Sequence, residues 1–149
     1  MEIVPYDKKY CDRFSYNGIE RDYVSVEEAR AKIEFNASLG ECYLGLIDDN
    51  PVMFCGVILL HSGVLQAWLY LNTEASKNSH LSDLLTFGKY LLWDKRFRRV
   101  QTLCISGNKK AETLLKHFGF EFEGILRKFI KNADMSMYAL LPNEVKNGK

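Results

Sequence analysis

The sequence predicts an α+β fold: one domain over residues 1–149, built as a mixed sheet with helices on both faces. The expected element order is β-α-α-β-β-β-α-β-α-β-β. Three observations predict it. Three apolar runs follow one another, separated only by the turn signals "DDNP" and "SG". A leucine-rich stretch of helical period then leads into a strand, a short helix and another strand. Two alternating segments, "FEFEGILRKFI" and "MSMYALL", close the chain.

Each element has its own justification. Residues 2–5, "EIVP", read as a short edge strand ended by proline. "DKKYCDRFSYNG" reads as a helix, with Asp7 as its N-cap and Gly18 as its stop. Ser25 with Glu28 three residues on is a capping box. Val26, Ala29, Ile33 and Phe35 follow it at roughly helical spacing, and Gly40 ends that helix. "ECYLGLID", "VMFCGVILLH" and "VLQAWLYLNTEA" form a three-strand antiparallel meander.

Leu81, Leu84, Leu85, Leu91 and Leu92 mark a long helix over about residues 79–96, with Asn78 or Ser79 as its cap. Arg96, Arg98 and Arg99 stand at its C-terminal end, where the helix dipole favours cations. "VQTLCIS" is a strand. "NKKAETLLKHFG" is a short helix, with Asn108 as N-cap and Gly119 as stop. The last two strands meet at a turn around residues 132–134. The long helix makes a crossover, so the strands on either side of it are expected to be parallel neighbours. Val100, Leu103, Ile105, Leu114 and Leu115 are expected in the core, and Phe118, Phe120, Phe122 and Phe129 in core and hairpin packing.

Composition narrows the function classes. The net charge is +1, which gives no general attraction to nucleic acid or to anionic membranes. The longest apolar run, "VMFCGVILL", is far below the roughly 20 residues of a membrane span and reads as a buried strand. The N-terminus shows no apolar signal region after a basic start. Cys11, Cys42, Cys55 and Cys104 are widely spaced and form no Cys-x-x-Cys pair, so they read as reduced thiols of a cytoplasmic protein. His61, His80 and His117 share no context that suggests a metal site.

Residues 108–124 carry a resemblance. Asn108, Ala111, Leu114, Leu115, Gly119, Phe120, Glu123 and Gly124 stand in the pattern "N-x-x-A…GF…EG". The following "ILRKFIKNADMSMYALL" is similar to a closing hairpin in which a polar turn with Asp precedes a strand ending "xYxLL". Together with the element order, these residues resemble the GCN5-related N-acetyltransferase (GNAT) superfamily. The resemblance implies acetyl-CoA in a cleft between two splayed parallel strands. It also implies a pyrophosphate on the N–H groups at the start of the long helix, where a helix N-terminus binds anions.

Under that resemblance the coenzyme contacts fall on Leu71, Thr73, Lys77, Ser79, His80, Ser82 and Asn108. The chain departs from the family loop, Arg/Gln-x-x-Gly-x-Gly/Ala. Aligned on Leu81, Leu84 and Leu85, Lys77 takes the basic position, His80 the first glycine and Ser82 the second small residue. Asn108 would bond the pantetheine arm, serve as the N-cap, or do both. Amine acetylation needs a base for the ammonium proton and an acid for the leaving thiolate. Glu74 and His61 are candidate bases and Tyr138 is a candidate acid. The usual tyrosine position of the family holds Leu115. The basic cluster "KRFRR" at 95–99 reads as a solvated helix end, or as a contact for the 3′-phosphate of coenzyme A or for a nucleic acid.

Two functions of different class follow. One is an acetyl-CoA-dependent N-acetyltransferase acting on an amine of a small molecule or protein. The other is a catalytically inactive protein of the same fold that pairs with other virion or assembly proteins. The start "MEIVPYDKKYCDRF" and the loop without glycine are similar to small GNAT-like proteins of tailed bacteriophages, some with head-assembly roles. That reading places the chain in a host cytoplasm or a virion.

Overall fold

The computed structural model describes residues 1–15 and 22–144. Its elements run β1 (Glu2–Pro5), α1 (Lys8–Cys11), α2 (Val26–Leu39), β2 (Glu41–Ile47), β3 (Asn50–His61), β4 (Val64–Leu71), α3 (Asn78–Leu92), β5 (Arg99–Ile105), α4 (Lys109–Phe118), β6 (Glu121–Ile130) and β7 (Ala133–Leu140). This is the predicted order. The strands form one mixed sheet, ordered β1-β2-β3-β4-β5-β7-β6. The expected parallel pair is present: Val64, Leu65 and Gln66 of β4 pair with Arg99, Val100 and Gln101 of β5. Among the described residues no helix is long and apolar enough to cross a membrane.

The chain divides into two compact units, Met1–Ile58 with Trp68–Leu84, and Leu59–Ala67 with Leu85–Lys149. The first has a core of Cys11, Phe14, Ala29, Ile33, Leu44, Leu46 and Phe54. Phe14 meets Phe54 edge-on at 5.1 Å, and Tyr6 meets the same ring at 6.0 Å. Here α1 is one turn long. Asp7 caps it, accepting from the Lys9 N–H at 3.1 Å. The helix stops at Cys11, and Phe14, three residues on, is fully buried in the core. The expected stop, Gly18, lies outside the described residues.

The capping box of α2 is complete: Ser25 Oγ accepts from the Glu28 N–H, and Glu28 Oε1 accepts from the Ser25 N–H. Its buried stripe runs Ala29, Ile33 and Asn36. Phe35 was expected on that stripe but is 55% exposed, because an i+3, i+4 rhythm from Ala29 and Ile33 reaches 36. Asp48 and Asp49 take positive φ (50° and 63°), the geometry of a two-residue hairpin turn. That tight turn lets β3 begin at Asn50 and include Pro51. At its other end β3 emerges from the core, leaving Leu59 and Leu60 exposed.

In the second unit, α4 is capped as predicted. Asn108 Oδ1 accepts from the Ala111 N–H at 3.3 Å. Gly119 takes φ 102°, and the Phe120 N–H returns to the Leu115 carbonyl at 3.0 Å. Phe118 is the buried residue of α4, whereas Leu114, Leu115 and Leu103 are only half-buried. Leu114→Ala is therefore expected to cost about 1 kcal/mol in chemical denaturation, well below the loss at a fully buried leucine.

Phe120 is buried, but Phe122 and Phe129 are exposed on β6. The final turn is tighter than expected: Ile130 pairs with Ala133, and Lys131 takes φ 51°. Asp134 thus lies inside β7, its carboxylate accepting from the Lys128 N–H at 2.8 Å.

The long helix also ends earlier than predicted, at Leu92. The three arginines lie beyond it and do not serve its dipole. Arg96 folds onto Asp94 at 2.6 Å, holding that carboxyl below its usual range. Arg98 donates to the Ser62 carbonyl at 2.6 Å, and Arg99 pairs with Glu123 at 2.7 Å.

Candidate functional site

The predicted cofactor residues after β4 belong to the first unit. β4 stops at Leu71, so "NTEA" is a turn and not the end of a strand. Asn72 builds that turn. Its N–H donates to the Val52 carbonyl at 3.0 Å, and its Oδ1 accepts from the N–H groups of Glu74 (3.0 Å) and Ala75 (3.2 Å). Thr73 contributes its carbonyl, which accepts from Ser76 Oγ at 2.8 Å. The sequence reading missed Asn72, although Asn ahead of a helix start is a turn signal.

The turn sets Glu74 against Lys77. The candidate base and the candidate phosphate ligand form an ion pair at 3.0 Å, both side chains exposed. A pair in that setting is worth about 0–1 kcal/mol, so either partner can leave it at small cost. His61 ends β3 ahead of the Ser62–Gly63 turn, while Glu74 follows the far end of β4.

The helix α3 begins at Asn78, so neither Asn78 nor Ser79 stands at the cap position. Lys77 stands there, and its carbonyl accepts from the N–H groups of both His80 (3.0 Å) and Leu81 (2.9 Å). The first-turn N–H groups ahead of that ladder belong to Asn78 and Ser79. Ser79 and Ser82 are exposed. The His80 ring faces the start of the chain: Nδ1 lies 3.2 Å from the Met1 amino nitrogen, which also lies 3.1 Å from Asp83 Oδ2.

The second unit holds Asn108 and Tyr138. Asn108 is buried directly after β5, and its carbonyl accepts from the Glu112 N–H at 3.0 Å. The Glu112 carboxylate bridges two elements. Oε2 accepts from the Gly107 N–H at 3.0 Å, and Oε1 accepts from the Tyr138 hydroxyl at 3.2 Å. Ser106 and Ser136 share a further hydroxyl contact at 2.8 Å. Glu112 was not among the expected site residues, because its partner lies 26 positions away and leaves no local signal.

Tyr138 is 1% exposed. Burial, with the Glu112 carboxylate beside it, pushes the phenol up to about 12. An ordinary thiol titrates near 8.5, so moving a proton from this phenol to a thiolate is uphill by about 3.5 pKa units, or roughly 5 kcal/mol. Leu115 is half-buried, and its carbonyl accepts from the Phe120 N–H at the end of α4.

No family model matches the sequence, and no curated protein matches it at a significant level. Solved structures do match the fold. An acetyltransferase of the GNAT family from Bacillus anthracis superposes with a TM-score of 0.69 at 15% identity, covering 95% of each chain. The chain has the GNAT fold. Two further GNAT-fold enzymes show the same likeness. A chimera of the spermidine N-acetyltransferase SpeG from Vibrio cholerae with hSSAT gives a TM-score of 0.67 at 15% identity, covering 95% of this chain and 96% of that one. The acetyl transferase of Salmonella typhimurium that modifies the N-terminal serine of ribosomal protein L7/L12 gives 0.67 at 13% identity, covering 93% of both. Set on the GNAT order of elements, Lys77 and Ser79 stand at the start of the long helix, and Asn108 at the start of the short one.

Proposed function

We propose that this GNAT-fold chain is a divergent acetyl-CoA-dependent N-acetyltransferase that acts on an amine of a small molecule or protein in the cytoplasm. The observation that carries the reading is the β5–α4 junction. Asn108 is buried there at a helix N-terminus directly after the parallel strand, the position the family resemblance assigns to the pantetheine arm. In this reading the ends of Leu71 and Thr73 line the coenzyme, and Ser79 and Ser82 offer hydroxyls to its phosphates. Lys77 leaves Glu74 for the pyrophosphate, which frees the Glu74 carboxylate to accept the ammonium proton. Tyr138 acts as a positioning residue: through Glu112 it holds the Gly107–Asn108 turn.

Calorimetry with acetyl-CoA tests the reading. Binding at micromolar strength supports it, and no heat at millimolar coenzyme ends it. Lys77→Ala is expected to weaken binding by about 10- to 150-fold, one charged contact of roughly 1.5–3 kcal/mol. His80→Gly is expected to strengthen it, because the backbone then approaches the phosphates without a ring in between.

A second reading is favoured by α3 itself. Its start carries no glycine, and Asp83 sets a carboxylate one turn in. In that reading the chain is a non-catalytic GNAT-fold protein of a bacteriophage, with virion or assembly proteins as partners. Its expected result is the absence of coenzyme binding in the same calorimetry.

A further inference from the structure

We propose that the exposed surface at the C-terminal ends of α3 and α4 binds single-stranded nucleic acid. The net charge of +1 is the sum of two unlike parts. The second unit holds thirteen Lys and Arg against six Asp and Glu, and the first holds seven against thirteen. Most carboxylates of the second unit are engaged: Asp94 by Arg96, Glu123 by Arg99, Glu112 by the Tyr138 hydroxyl and Asp134 by the Lys128 N–H. Lys89, Lys95 and Lys116 are exposed and form no ion pair among the described residues. Arg98 is exposed too, and its guanidinium donates to a neutral group, the Ser62 carbonyl.

Local geometry gathers these cations at one end of the unit. The Trp93 N–H donates to the Lys89 carbonyl at 3.1 Å, which sets Trp93 one helical turn on from Lys89. The Trp93 indole donates to the Phe118 carbonyl at 3.0 Å, so the end of α3 lies against the end of α4, where Lys116 stands. Lys95 lies in the turn that the Phe97 N–H closes on the Asp94 carbonyl at 3.0 Å, and the Arg98 N–H follows, bonded to the Gly63 carbonyl at 3.0 Å. A helix C-terminus favours cations, which accounts for Lys89 and Lys116. It does not account for Lys95 and Arg98, which lie beyond α3, nor for the rings beside them. Tyr90 and Trp93 stand three apart and share a helix face. Tyr90 is 84% exposed, with no hydrogen bond or ring contact among the described residues, and Trp93 is 39% exposed. Exposed rings among unpaired cations meet the two needs of a single strand: faces on which bases stack, and charges for its phosphates. A duplex hides its base faces, and an acidic peptide carries no base to stack.

Fluorescence anisotropy of the full chain with a labelled oligothymidine of about 16 nucleotides tests this, with circular dichroism as the check on folding. Binding in the micromolar range is expected at low salt. Its log–log salt slope is expected to be about −3, since four cations contribute about −0.7 each on a single strand. Lys95→Glu and Lys116→Glu are each expected to flatten that slope and to weaken binding about tenfold or more. Tyr90→Ala is expected to weaken binding about fivefold or more and to leave the slope unchanged, because a stacked ring carries no charge. A duplex of the same length and polyglutamate are both expected to bind more weakly. No binding at low salt overturns the proposal. So does binding that Tyr90→Ala leaves unchanged, or a duplex or polyglutamate that binds as tightly as the single strand.

Discussion

Phe118→Ala is expected to destabilise the chain by about 3–5 kcal/mol, read as a fall in the denaturant midpoint. Phe118 is the buried residue of α4, and its ring lies over the backbone of α3 at Gly88. A Cβ on Gly88 would sit against the edge of that ring, with Cδ1 at 2.8 Å. This makes a second, opposite test possible. In a free helix Gly→Ala gains about 1 kcal/mol. Here Gly88→Ala is expected to lose about 1–3 kcal/mol, because the methyl has no room beside the phenyl ring. Placed together, the two changes should cost less than their sum, since the new methyl then falls into the space the ring has left. Additive losses would show that Phe118 and Gly88 are not in contact.

Stability is expected to fall steeply between about pH 9 and 12. Burial pushes the thiols of Cys42 and Cys55 up from 9.0 to about 12 in the folded chain. The unfolded chain gives up these protons near the ordinary thiol value, while the folded chain keeps them to about 12. Raising pH through that window therefore favours unfolding, and the stabilisation is fully present only below it. At about pH 10.5 each thiol accounts for a loss of roughly 2 kcal/mol relative to neutral pH. Tyr6 and Tyr138, raised from 10.0 to about 12, add to the slope at its upper end. Urea midpoints at pH 8 and about 10.5 under reducing conditions check this. A Cys42→Ala, Cys55→Ala chain is expected to lose much less over the same interval. An equal loss would place the alkaline sensitivity elsewhere.

The helix ends were legible where one residue and its near neighbours decide them. Ser25 with Glu28, and Asn108 with Gly119, act within a single turn, and both helices start where they were read. The parallel β4–β5 pair followed from the crossover rule. The end of α3 was not legible. The leucine rhythm continues to Leu92, but Asp94 then draws Arg96 into a local ion pair and the Trp93 indole donates to the Phe118 carbonyl at 3.0 Å. The indole bond is a tertiary contact. The same holds at the candidate site. The pairing of Glu74 with Lys77 depends on the turn that Asn72 makes. The Tyr138–Glu112 bond depends on β7 lying beside β5.

That position of β7 governs the order in which the second unit can be completed. β7 is the last strand in sequence, yet it lies between β5 and β6 in the sheet. It pairs with β5 from Val100–Leu140 to Ile105–Met135 and with β6 along its other side. As the chain leaves a ribosome, β5 and β6 both wait with open edges until their shared partner emerges. The β6–β7 hairpin is local and closes quickly, whereas docking that hairpin onto β5 closes a loop of some thirty residues or more. The late step is therefore the arrival of a preformed hairpin at β5. Until then β5, already beside β4, keeps its other edge open, and Val100 and Ile105, which end up buried, lie on a strand paired along one side only. Nascent chains halted just before β7 are the species expected to be captured by chaperones or lost to aggregation.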